Sequence, residues 1–194
     1  MQREDLPRDT IALAQALIGT LLIRVYKGEP LAGRIVETEA YMPGDPASHA
    51  WRGRTARNAV MFGDALHAYV YFIYGTYWCL NVTAETHEIA AAVLVRACEP
   101  VAGVPTMRRL RGRPALADRE LARGPGNLCR AFAIDRSFDG VDMTADPALG
   151  LFDDGVRPEV GTSVRIGLTR GVESPWRFYA RGNPSVSGRR ALSP

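Results

Sequence analysis

The 194-residue sequence predicts an α+β fold: one domain, residues 1–194, in which a mostly antiparallel sheet carries flanking helices. Three observations predict it. Runs rich in β-branched and aromatic residues recur at 21–26, 34–41, 69–82 and 90–97, and glycine turns at Gly28 and Gly75 are short enough for hairpins. Helical spacing of apolar residues is confined to short stretches such as 10–18 and 128–134. Hydrophobic residues at 46% of a chain this long supply one sizeable core, and no repeat or linker divides it.

Asp9 and Thr10 cap the first helix, whose stripe of Ile11, Leu13, Ala14, Leu17 and Ile18 faces a core and stops at Gly19. Leu21 to Tyr26 is a strand. Gly28, Pro30 and Gly33 mark turns that lead into the strand Arg34 to Tyr41. On that strand Ile35, Glu37, Glu39 and Tyr41 share a face. Two carboxylates and a tyrosine do not make an ordinary core face, so it is either solvated or lines a cleft where carboxylates do chemistry. Residues 42–68 are largely irregular, with turn residues Pro43, Gly44, Asp45 and Pro46, and they place His49 among Arg52, Arg54 and Arg57. A loop that long in a compact domain is often functional.

Tyr69 to Trp78 reads as a strand, a tight turn at Tyr74-Gly75 and a return strand through Val82. Tyr69 and Tyr71 share a face. Aromatic strands usually pack a core, but Tyr74 sits at the hairpin tip, where there is no core to fill. It could wedge between base steps, and Tyr71 could stack on a base. Ala90 to Ala97 is a buried strand ending in Arg96, whose charge needs an anionic partner; the carboxylates of 34–41 are the obvious ones. Met107 to Arg123 is dense in arginine, either a solvated helix face or a phosphate-facing patch. Gly124-Pro125-Gly126-Asn127 opens a helix through Leu128, Ala131, Phe132 and Ile134, a plain helix start or one whose amides hold a phosphate. Residues 135–160 are turn-rich surface. Ser163 to Leu168 and Trp176 to Ala180 are closing strands, the second flanked by Arg177 and Arg181.

Several classes fall away. Cys79, Cys98 and Cys129 are too scattered for a disulfide framework or a zinc site and read as buried thiols. His87-Glu88 is not followed by a second histidine at position 91, no Cys-x-x-Cys accompanies a histidine, and there is no phosphate-binding loop and no Gly-x-Ser-x-Gly. Neither a metal nor a nucleotide cofactor is expected. No apolar run approaches the ~20 residues of a membrane helix, and the N-terminus lacks the apolar core of a signal peptide, so a cytoplasmic location is expected. A net charge of +3 says little about nucleic acid by itself.

Four blocks resemble the alkyladenine (3-methyladenine) DNA glycosylases of the mammalian type, in the form found in bacteria. They are Arg34–Tyr41 with His49, Tyr69–Asn81, Val93–Pro100 and Leu121–Ile134; Arg177-Phe178-Tyr179-Ala180-Arg181-Gly182 is similar to the family's closing strand. The blocks keep the family's order across roughly residues 8–187. The resemblance implies a curved, open-barrel-like sheet with a DNA-inserting β-hairpin. It implies a monomeric, cofactor-free, monofunctional enzyme of base excision repair that flips alkylated or deaminated purines out of damaged double-stranded DNA at the nucleoid and hydrolyses the base–sugar bond. Glu39 would be the general base and Arg96 its partner. Tyr41, His49 and Tyr71 would hold the base, with Asn81 on the pocket floor against guanine's amine. Tyr74 would fill the gap in the stack, and Arg54, Arg57, Gly126 and Asn127 would contact phosphates. Glu37 receives no chemical role. Lys27, the only lysine, lies far from the motifs in sequence, which argues against a Schiff-base lyase step. The chain departs from the family at Ala65-Leu66, where Pro-Gly is usual, at Asn127, where lysine is usual, and at Ala56, where proline is usual. Two rivals stand beside this reading: a non-catalytic lesion-binding protein using the same aromatic hairpin, and a nucleosidase acting on free nucleosides or RNA.

Overall fold

A computed structural model describes residues 1–188; residues 189–194 of the expected domain lie outside the described residues. In chain order the elements are α1 (Thr10–Ala16), β1 (Leu21–Tyr26), β2 (Glu29–Tyr41), β3 (Ala68–Ile73), β4 (Tyr77–Thr83), β5 (Ala92–Ala102), α2 (Val104–Arg111), α3 (Asp118–Leu121), α4 (Pro125–Ala131), β6 (Leu149–Phe152), β7 (Val160–Ser163) and β8 (Arg177–Ala180). All pairings between these strands are antiparallel, in the order β3-β4-β5-β2-β1-β6, with β8 against β2 and β7 against β8. The sheet curls into a half-barrel.

β2 organises this sheet because it is long enough to serve three partners. Its first half pairs with β1 as far as Arg34, and β8 takes over on that side at Glu37. β5 runs along the other side. α1 packs over β2 and β5, and α4 over β4 and β5. Leu13, Leu17, Ile35, Val36, Val95 and Phe132 are fully buried in the core between them, each worth roughly 1.5–3 kcal/mol of transfer free energy.

Several expectations are corrected by tertiary contacts. Pro30 and Gly33 are not turn residues but lie within β2. Gly33 is required there by packing, since the Phe132 ring stands 2.7 Å from where a Cβ would be. β5 runs on to Ala102, so Arg96 sits in mid-strand rather than at an end. α1 is shorter than its apolar stripe and stops at Ala16, and α4 stops before Ile134, where Ala133 has a left-handed φ of +50°. The arginine-dense stretch is two helices, parted after Gly112 at φ +62°. Of its arginines only Arg111 is buried, donating to the Glu120 and Leu121 carbonyls; Arg123 donates to the Val186 carbonyl and Arg108 pairs with Asp118 at the surface, while Arg109, Arg113 and Arg119 are exposed. Residues 164–168 are not a strand; β7 ends at Ser163 because the following polar groups bond across the molecule.

At Ala65-Leu66, Leu66 adopts φ +68° while fully buried. The chain thus keeps a backbone that suits glycine, at a cost of about 1–2 kcal/mol, offset by burying an isobutyl group.

Candidate active site

Alternation along β2 breaks near Ile35, and Ile35 and Val36 both join the apolar core. Register with β5 shifts between Ile35 and Glu37 and again between Glu37 and Thr38, so pairing passes over Val36 on β2 and Arg96 on β5. Bulges re-aim side chains. Here they bring Arg96 between Glu37 and Glu39. Its Nε donates to Glu37 Oε1 at 3.0 Å and its Nη1 to Glu39 Oε2 at 3.1 Å. Both carboxylates are fully buried. Glu39 also accepts the Tyr41 hydroxyl on Oε2 at 3.0 Å and the Ile166 amide on Oε1 at 2.7 Å. Glu37 also accepts from Arg177 Nε at 2.7 Å and from the Ser187 amide at 2.7 Å.

The two environments push the carboxyls apart. Burial raises both, but at Glu37 the charges of Arg96 and Arg177 outweigh it and hold that carboxyl below its ordinary value. At Glu39 burial prevails over Arg96 and the Ile166 amide, and the carboxyl lies above its ordinary value.

A cavity of about 470 Å³ opens in front of Arg96 and Tyr41. Met61, Cys79 and Leu94 line its apolar side, and Asn81 is held there by donating to the Tyr69 carbonyl at 3.0 Å. His49 Nδ1 lies 3.0 Å from the Tyr69 hydroxyl, and its ring rests edge-on against Tyr71 with centroids 4.2 Å apart. Although His49 is exposed at the rim, desolvation on the Tyr71 side, followed by the Arg57 charge, depresses its pKa and favours the neutral ring. Burial pushes the Tyr69 hydroxyl up to about 12. Tyr41 lines the same cavity as His49, Tyr69 and Tyr71.

The hairpin of β3 and β4 stands at the sheet edge beside this cavity. At its tip Tyr74 (φ +53°) and Gly75 (φ +64°) form the reversal, and Tyr74 is 82% exposed. Positive φ at both positions suits the twist of a tight hairpin. Arg57 donates to the Phe72 carbonyl at 2.6 Å, with its guanidinium 5.8 Å from the Tyr71 ring. Arg54 is exposed and pairs with Glu88. Gly126 and Asn127 line the cavity from α4; the Asn127 amide donates to the Arg123 carbonyl, and a Cβ on Gly126 would stand 2.6 Å from the Tyr77 ring. The structure therefore gathers Arg96, Tyr41, His49, Tyr71, Tyr74, Asn81, Gly126 and Asn127 around one cavity, with Glu39 directly behind Arg96 and Tyr41 and the two loop arginines outside.

Sequence reasoning missed three supports. Arg165 is fully buried, paired with Asp45, and its guanidinium lies 4.8 Å from the Tyr41 ring and 5.0 Å from Trp176. It anchors the segment that delivers the Ile166 amide to Glu39. Asn58 is buried and donates to the carbonyls of His49 and Gly53 while accepting from Thr55, closing the loop that carries His49. Ser187 supplies its amide to Glu37. The signal that found Arg96, an arginine in an apolar run, is also present in Val164-Arg165-Ile166.

The family model of methylpurine-DNA glycosylase matches residues 4–184. A protein of Mesorhizobium japonicum named as a candidate 3-methyladenine DNA glycosylase is 49% identical over 191 residues, covering 98% of this chain and 91% of its own. Proteins of the same name from Methanocella arvoryzae (44% identical; 97% and 96% covered) and Carboxydothermus hydrogenoformans (42%; 96% and 98%) are similarly related.

Proposed function

The chain belongs to the methylpurine-DNA glycosylase family, and from that premise we propose how its cavity releases a base. The protein is a DNA glycosylase, a hydrolase of N-glycosyl bonds whose substrate is damaged DNA. The observation that carries the mechanism is the buried Glu39–Arg96 pair set behind an aromatic cavity of about 470 Å³.

In this reading a damaged purine leaves the duplex and enters the cavity between Tyr41 on one side and the His49–Tyr71 pair on the other. An alkylated purine carries positive charge, which aromatic faces attract, and it departs without a strong acid. Tyr41 and Arg96 bracket Glu39 Oε2 and both line the cavity. A water bound to Arg96 at that wall lies beside the carboxylate, which takes its proton as the oxygen attacks the sugar carbon. The carboxylate also stabilises the oxocarbenium-like sugar, as in sugar hydrolases. Neutral His49 hydrogen-bonds the base edge. Asn81 excludes the exocyclic amine of guanine, and deaminated purines, which lack such an amine when derived from adenine, are admitted. Tyr74 fills the vacated stack, and Arg54, Arg57, Gly126 and Asn127 meet phosphates. Lys27 is at the β1–β2 turn, its ammonium 5.4 Å from the Tyr26 ring, so no lysine serves a lyase step and the product is an abasic site. The working unit is residues 1–194 as a monomer on duplex DNA, acting at the nucleoid. A purely lesion-binding protein would have no use for a desolvated carboxylate beside the sugar.

Single-turnover release from a duplex with one labelled alkylated adenine tests this. Glu39→Gln is expected to bind the duplex but to release base about 10²–10⁴-fold more slowly. In the wild type, release should fall as pH drops through the raised Glu39 value, because only the ionised carboxylate accepts the proton. Wild-type release by the glutamine variant would remove Glu39 from the role of base.

A further inference from the structure

The ionic cluster behind the cavity holds more groups than this chemistry uses. Arg96 offers Nε to Glu37, Nη1 to Glu39 and Nη2 to the Ser187 hydroxyl at 3.4 Å. Glu37 divides the attraction: its Oε1 accepts from both Arg96 and Arg177, and its Oε2 from the Ser187 amide. Arg177 is further fixed by the Ser163 hydroxyl at 2.7 Å and the Ser187 carbonyl at 3.1 Å. An arginine facing one carboxylate prefers a bidentate fork. Arg96 meets Glu39 through Nη1 alone: Glu37 holds its Nε edge, the Ser187 hydroxyl faces its Nη2, and the Ile166 amide occupies Glu39 Oε1.

We propose that Glu37 is a positioning residue for base release: it acts through Arg96, holding the Nε edge so that the guanidinium turns its Nη1 toward Glu39. The inference rests on the reading of Glu39 as the base. Glu37 has two consequences in this arrangement. It fixes the angle at which Arg96 faces the cavity, and it places a second negative charge near Glu39 that adds to burial in keeping Glu39 basic despite the arginine. The charged and titratable groups facing Glu39 are Arg96 from β5, Glu37 and Tyr41 from β2 and Cys79 from β4, with Arg177 of β8 beyond Glu37 and Arg165 on the far side of Tyr41. Glu37 is the other carboxylate among them and acts on Glu39 in the raising direction.

The test is the pH profile of single-turnover release for the full chain on the alkylated-adenine duplex. Glu37→Gln removes a negative charge, so the acidic limb should move to lower pH, while the plateau falls at least about tenfold through misplacement and a weaker base. Glu37→Asp keeps the charge at shorter reach, so its limb should return to the wild-type position with the plateau still low. A lower plateau with an unmoved limb in Glu37→Gln would make Glu37 a fold-holding residue and overturn the inference. If that variant does not fold, carboxyl carbon-13 titration of the wild type decides. Glu37 should ionise below Glu39, and the Glu39 signal should respond as it does; the reverse order overturns the inference. Loss of release in Glu39→Gln with no limb shift in Glu37→Gln refutes this inference alone. Retained release in Glu39→Gln refutes the base assignment beneath it.

Discussion

The two walls of the cavity are built on opposite terms. One is ionic and comes from the middle of the sheet, where β2 is paired on both sides and Glu37, Glu39, Arg96 and Arg177 lie almost wholly out of water. The other is aromatic and comes from the margin: the edge hairpin of β3 and β4, whose tip residue Tyr74 is 82% exposed, and the loop of His49. A desolvated charge is tolerable only where neighbours on every side can hydrogen-bond it. The entry into the duplex proposed above for Tyr74 calls for a side chain that little of its own protein covers. The fold meets both requirements within one cavity by running the sheet from its braced centre to its free edge.

That contrast can be broken by measurement. Arg96→Met should have the largest effect. It leaves Glu37 and Glu39 buried with one cation fewer and should cost about 3–5 kcal/mol of stability, read as a lower denaturant midpoint at neutral pH. An unchanged midpoint would mean that the ionic wall is not what the centre of the sheet depends on. Asn58→Ala comes next. It frees the carbonyls of His49 and Gly53 and should cost roughly 1–3 kcal/mol, with a higher KM for lesion-bearing duplex, because that amide ties two carbonyls of the rim loop together. A midpoint loss without a KM change would detach the loop from recognition. Tyr74→Ala should be the mildest in the free protein, within about 0.5 kcal/mol, yet should weaken binding to lesion-bearing duplex about tenfold, the order of one lost stacking contact. Unchanged affinity would leave the exposed edge without the task proposed for it.

Legibility in the sequence follows the same division. Arg96 and Glu39 could be paired on paper because a charge in an apolar run must find its opposite, and few were on offer. Tyr74 could be placed because a hairpin tip is a local feature. Asp45 could not: it reads as one more turn residue, and its partner Arg165 lies 120 positions away. The bulge at Arg96 is invisible for the same reason, since register is decided by what β2 and β5 bury together and not by either strand alone. Gly33 looked like a turn until the Phe132 ring filled the space above it. Leu66 shows the converse, a left-handed backbone retained without the residue that usually signals it.

The Ser187 amide reaches Glu37 across 150 residues, and Arg177 reaches it across 140. A chain leaving the ribosome N-terminus first presents both glutamates long before either of these partners exists. Until then two carboxylates compete for Arg96, and the charge of the cluster does not close. Assembly of the ionic wall is therefore a late event in the life of each molecule, set by the order of synthesis: the balanced site waits for Arg177 and Ser187.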